Sequence, residues 1–127
     1  MKRHSAGIAG RNKLIRAYKS GAKVRNLEFS LTDMACAALF EKNCWYCDSA
    51  PHQKIIGSPG PGVSADGKKH STFTYNGIDR IDNSKGYTLD NCVTCCKRCN
   101  IGKGTMSTQE FDAWIDQILS HRKVRHG

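Results

Sequence analysis

The cysteine pattern constrains the fold of this 127-residue chain more than any other feature of its sequence. Cys44 and Cys47 form one Cys-x-x-Cys pair. A later cluster offers two choices for a second pair, which are Cys92 with Cys95 and Cys96 with Cys99. A two-residue gap lets two thiolates converge on one tetrahedral ion, and four thiolates close a structural zinc site. The sequence therefore predicts a zinc ion that joins two distant parts of the chain.

Cys96 and Cys99 are the second pair that we favour, because they straddle the predicted junction of a strand with a helix. This choice also places Asn100 directly after a ligand, on the first turn of that helix. Zinc–thiolate bonds would then fix the direction of the Asn100 side chain. Cys92 and Cys95 become core or spare thiols, and they stay the alternative pair.

The composition indicates one domain, residues 1–127, with a basic surface and little core. The hydrophobic content is 39%, the net charge is +9 and the pI is about 9.4. A chain with so little core gains stability from a metal crosslink, and a basic chain most often binds nucleic acid. The sequence shows no secretory or membrane-spanning segment, so no membrane partner is expected. We expect a cytoplasmic protein whose reduced cysteines bind metal rather than form disulfides.

Periodicity and turn residues predict an α+β chain in which helices flank a compact central motif. The C-terminal helix is marked by a capping box, Ser107 to Glu110. A stretch rich in Pro and Gly predicts a long loop. The assignment is a basic arm at 1–10, helices at about 11–24 and 29–42, the long loop at 48–71, a ββα motif at 73–104 and a packing helix at 107–121. Within the motif, strands are predicted at 73–81 and 92–96, and a helix at 97–103.

The first helix is predicted to contact phosphates, because residues 1–27 contain eight Lys or Arg residues and no Asp or Glu. One face, with Leu14 and Tyr18, would pack on the core. The other face, with Lys19 and Lys23, would meet phosphates and release counterions. The alternative is a solvated basic face.

Residues 76–103 carry the groups that phosphodiester hydrolysis requires. A hard cation must neutralise the charge of the scissile phosphate, a base must activate water, and donors must stabilise the transition state. Asp79 and Asn100 offer oxygen ligands that suit Mg²⁺, which takes few protein ligands. Arg80 can make a bidentate contact with phosphate, and Asn91 can fix an orientation within the site.

The order of these motifs resembles the HNH endonuclease family, in its zinc-stabilised, phage-type branch. The chain has Cys-x-x-Cys, Gly-Ile-Asp-Arg, Gly-Tyr-Thr-x-Asp-Asn and Cys-x-x-Cys-Asn-x-x-Lys in succession. The likeness runs from Tyr18 to Phe111, and it implies a small zinc-stabilised ββα-metal (His-Me finger) core with flanking helices. It also implies nicking or double-strand cleavage of double-stranded DNA with Mg²⁺ or Mn²⁺, in a bacterial or phage-infected cell. Symmetric double-strand cutting would most simply need a homodimer.

The resemblance also implies a role for each matching residue. Asp79 and Asn100 take the places of the metal ligands, and Asn91 takes that of the middle asparagine of the motif. By the same resemblance, the ligands of the structural zinc are the four favoured cysteines, Cys44, Cys47, Cys96 and Cys99. Arg25, in the lead-in, is a second phosphate clamp, and the full set of predicted phosphate contacts is Arg25, Lys19, Lys23 and Lys103.

One position departs from the family pattern, because Arg80 follows Asp79 where a histidine is usual. That histidine is the general base, whereas arginine stays protonated at any working pH. The pattern resembles a rarer branch, including a rare-cutting restriction enzyme, in which the base comes from elsewhere. The candidates here are His70, His52, Tyr87 or a metal-bound water without a protein base. We rank His70 first because it lies just before the first predicted strand.

Two other functions are compatible with the sequence. One is a zinc-stabilised DNA-binding module without catalysis, which the missing histidine favours. The other is a zinc ribbon that contacts protein or RNA. The retained Asp79 and Asn100 count against the first of these, because a pure binding module has no need of a second, hard-metal site. The zinc ribbon predicts no Mg²⁺-dependent change in supercoiled plasmid.

Overall fold

The computed structural model describes residues 7–57 and 72–126, and it shows an α+β chain. Four helices flank two small antiparallel sheets in the described part. The helices are α1 (Ile8–Val24), α2 (Asp33–Glu41), α3 (Lys97–Lys103) and α4 (Thr108–His126), and the strands are β1 (Gln53–Ile56), β2 (Thr72–Tyr75), β3 (Gly77–Arg80) and β4 (Cys92–Cys95). No helix in these ranges combines the length and the apolar character that a membrane crossing requires.

The core lies where α1 and α2 cover the two sheets. Strand β1 pairs with β2, and β3 pairs with β4. Phe40 of α2 is fully buried, and its ring centroid lies 5.9 Å from those of Tyr18 and Phe73 and 6.0 Å from that of Tyr75. Aromatic rings at such separations add favourable edge and offset contacts to the burial of apolar surface. This cluster fixes α1 against the strand that continues into the ββα motif.

The predicted long loop at 48–71 is partly wrong, because β1 lies inside it and pairs with β2 from Gln53 opposite Tyr75 to Ile56 opposite Thr72. A strand of four residues with two apolar side chains gives too short an alternation to be recognised between Pro and Gly. Residues 58–71 of that loop lie outside the described residues.

The strand predicted at 73–81 is divided at Asn76, which is fully buried. Its backbone N–H donates to Phe40 O at 3.0 Å, and its Nδ2 donates to Lys42 O and Ser49 O at 3.0 Å each. The partners of Asn76 lie outside the strands, so Asn76 interrupts the strand pairing. The chain passes from the first sheet to the second at this residue. The ββα unit therefore begins at Gly77 rather than at residue 73, and Asn76 ties it to the segment that holds Cys44.

Helix ends follow local capping groups. Helix α1 begins at Ile8, so residues 8–10 are helical rather than part of the predicted arm, and residues 1–6 lie outside the described part. Helix α2 begins at Asp33 because Thr32 Oγ1 accepts the Ala35 N–H at 3.1 Å. Helix α3 spans the predicted residues, and Gly104 ends it with a φ of 54°, where glycine is least strained.

The capping box of the last helix is present, but the packing prediction for that helix holds only for its N-terminal part, where Phe111 is buried and Ile115 is half-buried. Ser107 N donates to Glu110 Oε1 at 2.9 Å, and Glu110 N donates to Ser107 Oγ at 3.1 Å. Phe111 is buried, whereas the exposed fractions are 46% for Trp114, 39% for Ile118 and 51% for Leu119. The helix continues to His126, and its side chains are exposed from Asp116 to Lys123.

Replacing Asn76 by Ala is expected to destabilise the protein by about 2 kcal/mol or more, because two carbonyl oxygens lose their donor. At this chain length, about 1 kcal/mol corresponds to roughly 4 °C in melting temperature. Thermal unfolding measured by circular dichroism provides the test. Asn43→Ala, which removes an exposed 3.3 Å bond to Asp48, is the control and should shift the melting temperature little. Equal shifts in the two variants would contradict the role of Asn76.

Candidate functional site: a cysteine cluster and an adjoining basic cleft

Four cysteines converge at the junction of the two halves of the chain. Cys44, Cys47, Cys96 and Cys99 are the group of metal-ligating side chains that the structure brings together in its described part, with all four Sγ atoms within 4.8 Å of one another. A tetrahedral ion with bonds of about 2.3 Å requires sulfurs roughly 3.8 Å apart. The Cys47 and Cys96 sulfurs are 3.7 Å apart, so the donor set fits a four-thiolate metal site.

The surroundings of the cluster favour the metal-binding thiolate form at Cys47 and Cys96. Burial raises the pKa of Cys96. Hydrogen bonds from the Cys99 N–H and the Ser49 hydroxyl lower it by more than burial raises it, and the resulting pKa is about 6. Ser49 also lowers the pKa of Cys47. Burial and the neighbouring sulfurs raise the pKa of Cys99, because negative charge accumulates in one small volume. A bound cation would relieve this repulsion.

The alternative cysteine pair lies outside the cluster. Cys92 and Cys95 are buried in β4. Burial raises the pKa of Cys92 to about 12, and it also raises that of Cys95. Both therefore stay protonated and behave as small core residues. Cys36 is buried in the hydrophobic core in the same way.

A cleft of about 520 Å³ lies beside the cluster, between α1 and the ββα unit. It collects residues from helix α1, strand β3, the following turn and helix α3. Its polar lining consists of Tyr18, Arg25, Asp79, Arg80, Asn83, Tyr87, Asn100 and Thr105. The structure thus brings together five of the predicted site residues, and it adds Asn83 and Thr105, which the sequence did not indicate.

Asp79 is held at the back of the cleft by two donors. Its side chain is 9% exposed, and Tyr46 donates its hydroxyl hydrogen to Oδ2 at 2.7 Å. Lys103 Nζ lies 3.3 Å from Oδ1 and 3.2 Å from Oδ2, and it also donates to Arg80 O at 3.0 Å. The predicted phosphate contact of Lys103 is therefore wrong. Its ammonium is fully buried, and a buried charge requires the partner that Asp79 provides.

Tyr46 connects the cysteine cluster to Asp79. It lies between Cys44 and Cys47 in sequence, and its hydroxyl is 2.7 Å from both Asp79 Oδ2 and Thr108 Oγ1. Burial raises the pKa of Tyr46, so the hydroxyl keeps its proton and can donate. The sequence analysis missed this role, although a tyrosine between two cysteine ligands was a signal that could have indicated it.

Arg80 and Arg25 place two guanidinium groups at the cleft. Arg80 Nη1 donates to Asn83 O at 2.6 Å and to Lys85 O at 2.9 Å. Its guanidinium carbon lies 5.4 Å from the ring centroid of Tyr87. Arg25 Nη2 donates to the Tyr87 hydroxyl at 3.0 Å. Tyr87 therefore lies between the two arginines.

Asn91 shapes the turn that follows β3 rather than lining the cleft. Its Nδ2 donates to Asp82 O at 3.1 Å and to Gly86 O at 2.9 Å, and its Oδ1 accepts the Asp82 N–H at 2.9 Å. Because the same turn supplies the carbonyls that hold Arg80, Asn91 acts on the cleft through the backbone. Asn100 is exposed and lines the cleft directly.

The remaining predicted residues that the structure describes are absent from the lining of the cleft. His70 falls outside the described residues. His52 is exposed, with Nδ1 3.2 Å from Ala50 O, and it is absent from the described lining of the cleft. Lys23 is exposed near the end of α1, and Lys19 makes an exposed ion pair of 3.2 Å with Asp33.

The fold defined by these elements is like that of a solved HNH endonuclease. A solved structure that matches is the rare-cutting HNH restriction endonuclease PacI, with a TM-score of 0.55 over 91% of this chain and 80% of that chain. The two sequences are 20% identical, so the likeness concerns the fold. No protein-family model matches the sequence.

A curated relative comes from a giant virus. It is the uncharacterized protein R423 of Acanthamoeba polyphaga mimivirus, 42% identical to this chain over 106 residues. The match covers 84% of this chain and 16% of the viral protein. The chain therefore corresponds to a small part of that longer protein.

Replacing Cys96 by Ser is expected to lower the metal content from about one zinc per chain to well below half, with a fall in melting temperature, because structural zinc contributes directly to folding. Zinc measured by mass spectrometry on the purified protein provides the test. Cys92→Ala is the matched control and should keep its zinc. Full zinc in Cys96→Ser together with loss in Cys92→Ala would favour the alternative pair.

Proposed function

We propose that this chain is a metal-dependent DNA endonuclease of the zinc-stabilised HNH type, which hydrolyses phosphodiester bonds by nicking or double-strand cleavage. One observation supports it most directly. Asp79 on β3 and Asn100 on α3 line the same cleft as Arg25 and Arg80, within a fold like that of an HNH restriction endonuclease. A carboxylate and an amide oxygen beside two guanidinium groups match the needs of phosphate chemistry.

The cleft residues fit one hard cation. A carboxylate has about four acceptor positions, and the contacts with Tyr46 and Lys103 leave one of them free on Asp79 Oδ1. Asn100 can add its amide oxygen, and Mg²⁺ or Mn²⁺ keeps waters in its other positions. When bound, the cation supplies charge neutralisation at the scissile phosphate and at the leaving oxygen. The four cysteines would hold a separate, structural zinc.

The arginines have the task of binding and orienting the scissile phosphate. Arg80 is held by two carbonyl oxygens, so its remaining N–H groups keep a fixed direction toward the cleft. Arg25 reaches the cleft from the end of α1 and can contact the same phosphate or its neighbour. Donors that are fixed before the reaction stabilise charge in the transition state without reorganisation. Asn91 maintains this arrangement by holding the turn.

The proton acceptor is a separate part of the proposal. Of the base candidates that the structure describes, Tyr87 lines the cleft and His52 is absent from its lining. We therefore put Tyr87 first among the described residues, and His70 stays a proposal from the sequence. Tyr87→Phe and His70→Ala, measured at several pH values, would separate the two.

Double-stranded DNA is proposed to lie along the basic face of α1, which leads into the cleft at Arg25. Lys23 is exposed there. The ion pair of Lys19 with Asp33 is exposed too, and such pairs hold their partners only weakly, so Lys19 can turn to a phosphate. Counterion release from such contacts should make DNA affinity fall steeply with salt.

A DNA-binding module without catalysis is the second candidate function. Arg80 stands where the family pattern has its histidine base, and its guanidinium is engaged by backbone carbonyls. In that case the protein would keep its zinc and its affinity for DNA, but it would not cleave.

Replacing Asp79 by Asn is expected to lower cleavage of supercoiled plasmid by at least about a hundredfold, because the cation loses its charged ligand. The assay compares Mg²⁺, Mn²⁺ and EDTA, and the ratio of nicked to linear product reports strand usage. Asp112→Asn, an exposed carboxylate on α4, is the matched control and should cleave normally. If wild type binds plasmid without cleaving it in either metal, the binding module replaces the nuclease as our conclusion.

Replacing Arg80 by Lys is expected to lower the single-turnover rate at least about tenfold while changing DNA affinity less, because lysine lacks the planar fork of donors. Quenched-flow cleavage gives the rate, and fluorescence anisotropy with a labelled duplex gives the affinity. Arg98→Lys, on the exposed side of α3, is the control for loss of a guanidinium. A loss confined to affinity would make Arg80 an ordinary phosphate contact.

A further inference from the structure

We propose that Lys103 makes binding of the catalytic cation depend on DNA. In the free protein, the ammonium group that pairs with Asp79 would keep the cation site weak, and a DNA phosphate would have to arrive before or with the cation. This inference rests on the proposed function, because it concerns the regulation of the same site.

The first step is that Lys103 cannot easily leave Asp79. Its Nζ contacts both carboxylate oxygens within 3.3 Å and donates to Arg80 O at 3.0 Å. The side chain is fully buried at the end of α3, where the helix dipole favours a cation. A buried ammonium that lost these partners would be strongly destabilised. The ion pair is therefore a permanent part of the free site.

The second step is the charge balance of the cleft. Asp79 carries the negative charge among the cleft-lining residues that the structure describes, and Arg25 and Arg80 carry positive charges. Lys103 adds a third positive charge directly behind the carboxylate. A divalent cation that enters without DNA therefore meets more positive than negative charge. Inside a protein such repulsion is screened much less than in water.

The third step is what a phosphate changes. A DNA phosphate at Arg25 and Arg80 brings negative charge into the cleft, and its oxygens are ligands that hard cations prefer. The cation and the DNA should therefore bind cooperatively. Because such coupling is reciprocal, the cation should strengthen DNA binding by the same factor as DNA strengthens cation binding.

The alternative reading is that Lys103 only stabilises the fold. The two readings differ in what happens when the ammonium is removed but the carboxylate is kept. A structural ion pair predicts lower stability with unchanged dependence of metal binding on DNA. Our proposal predicts that the free protein gains affinity for the cation.

The test measures Mn²⁺ binding to the zinc-loaded protein by electron paramagnetic resonance of the free ion, with and without a short mixed-sequence duplex. Asp79→Asn measured with the same duplex gives the Mn²⁺ held by DNA itself. For wild type, we expect the Mn²⁺ binding that is lost in Asp79→Asn to be at least tenfold tighter with DNA than without it. Equal affinity in the two conditions would overturn the proposal, even if the Lys103 variant does not fold.

Lys103→Met supplies the second arm, because methionine fills a similar volume without charge. We expect its Mn²⁺ affinity without DNA to rise at least tenfold, and the effect of DNA to shrink accordingly. Lys97→Met, an exposed lysine on the same helix, removes the same charge away from Asp79 and should bind Mn²⁺ as wild type does. An equal gain in both variants would assign the effect to net charge and overturn the role of Lys103.

The readout also separates this inference from the nuclease proposal, since it requires no cleavage. DNA-dependent Mn²⁺ binding at Asp79 in a protein that leaves plasmid intact would overturn the nuclease and support the inference. No Mn²⁺ binding at Asp79 in either condition would overturn the inference and the proposed metal site together.

Discussion

The convergence of four sulfurs from two distant segments is the constraint on which the rest of the structure depends. One pair lies in the turn after α2, and the other begins α3. Because Tyr46 lies between the first two sulfurs, the position of the cluster determines where its hydroxyl meets Asp79 and Thr108. The position of the cluster therefore determines the position of the carboxylate in the cleft and of the first turn of α4. A substitution of one of the four cysteines should therefore disturb both Asp79 and the start of α4 at Thr108.

Among the residues that the structure describes, the lining of the cleft combines one carboxylate with an excess of positive charge. Two arginines face the open volume, while Lys103 stands behind Asp79. With this charge balance, the free cleft should bind a polyanion more readily than a cation. Phosphate recognition and metal recognition are consequently not independent properties of this protein, because both depend on the same few charges within one small space.

Much of this arrangement was predictable because its signals are local in sequence. The choice of Cys96 and Cys99 and the limits of α3 followed from spacing, and the structure brings those cysteines to Cys44 and Cys47. What the sequence did not reveal depends on tertiary contacts. Asn76 divides a strand because of three backbone carbonyls far away in sequence. Lys103 looked like a surface cation, since no local pattern shows that it is buried against Asp79. The apolar spacing in α4 correctly indicated a helix, but periodicity carries no information about whether a partner covers the apolar face.

The exposed apolar face of α4 has a consequence for the behaviour of the protein in solution. This face presents an exposed apolar stripe, formed by Trp114, Ile118 and Leu119, on a molecule whose net charge is +9. At low ionic strength, repulsion between like-charged molecules keeps such stripes apart. Salt shortens the range of this repulsion from about 10 Å at 0.1 M to about 3 Å at 1 M, while it leaves apolar attraction intact. The concentrated salt that strips nucleic acid from a basic protein is thus the condition that most favours its self-association.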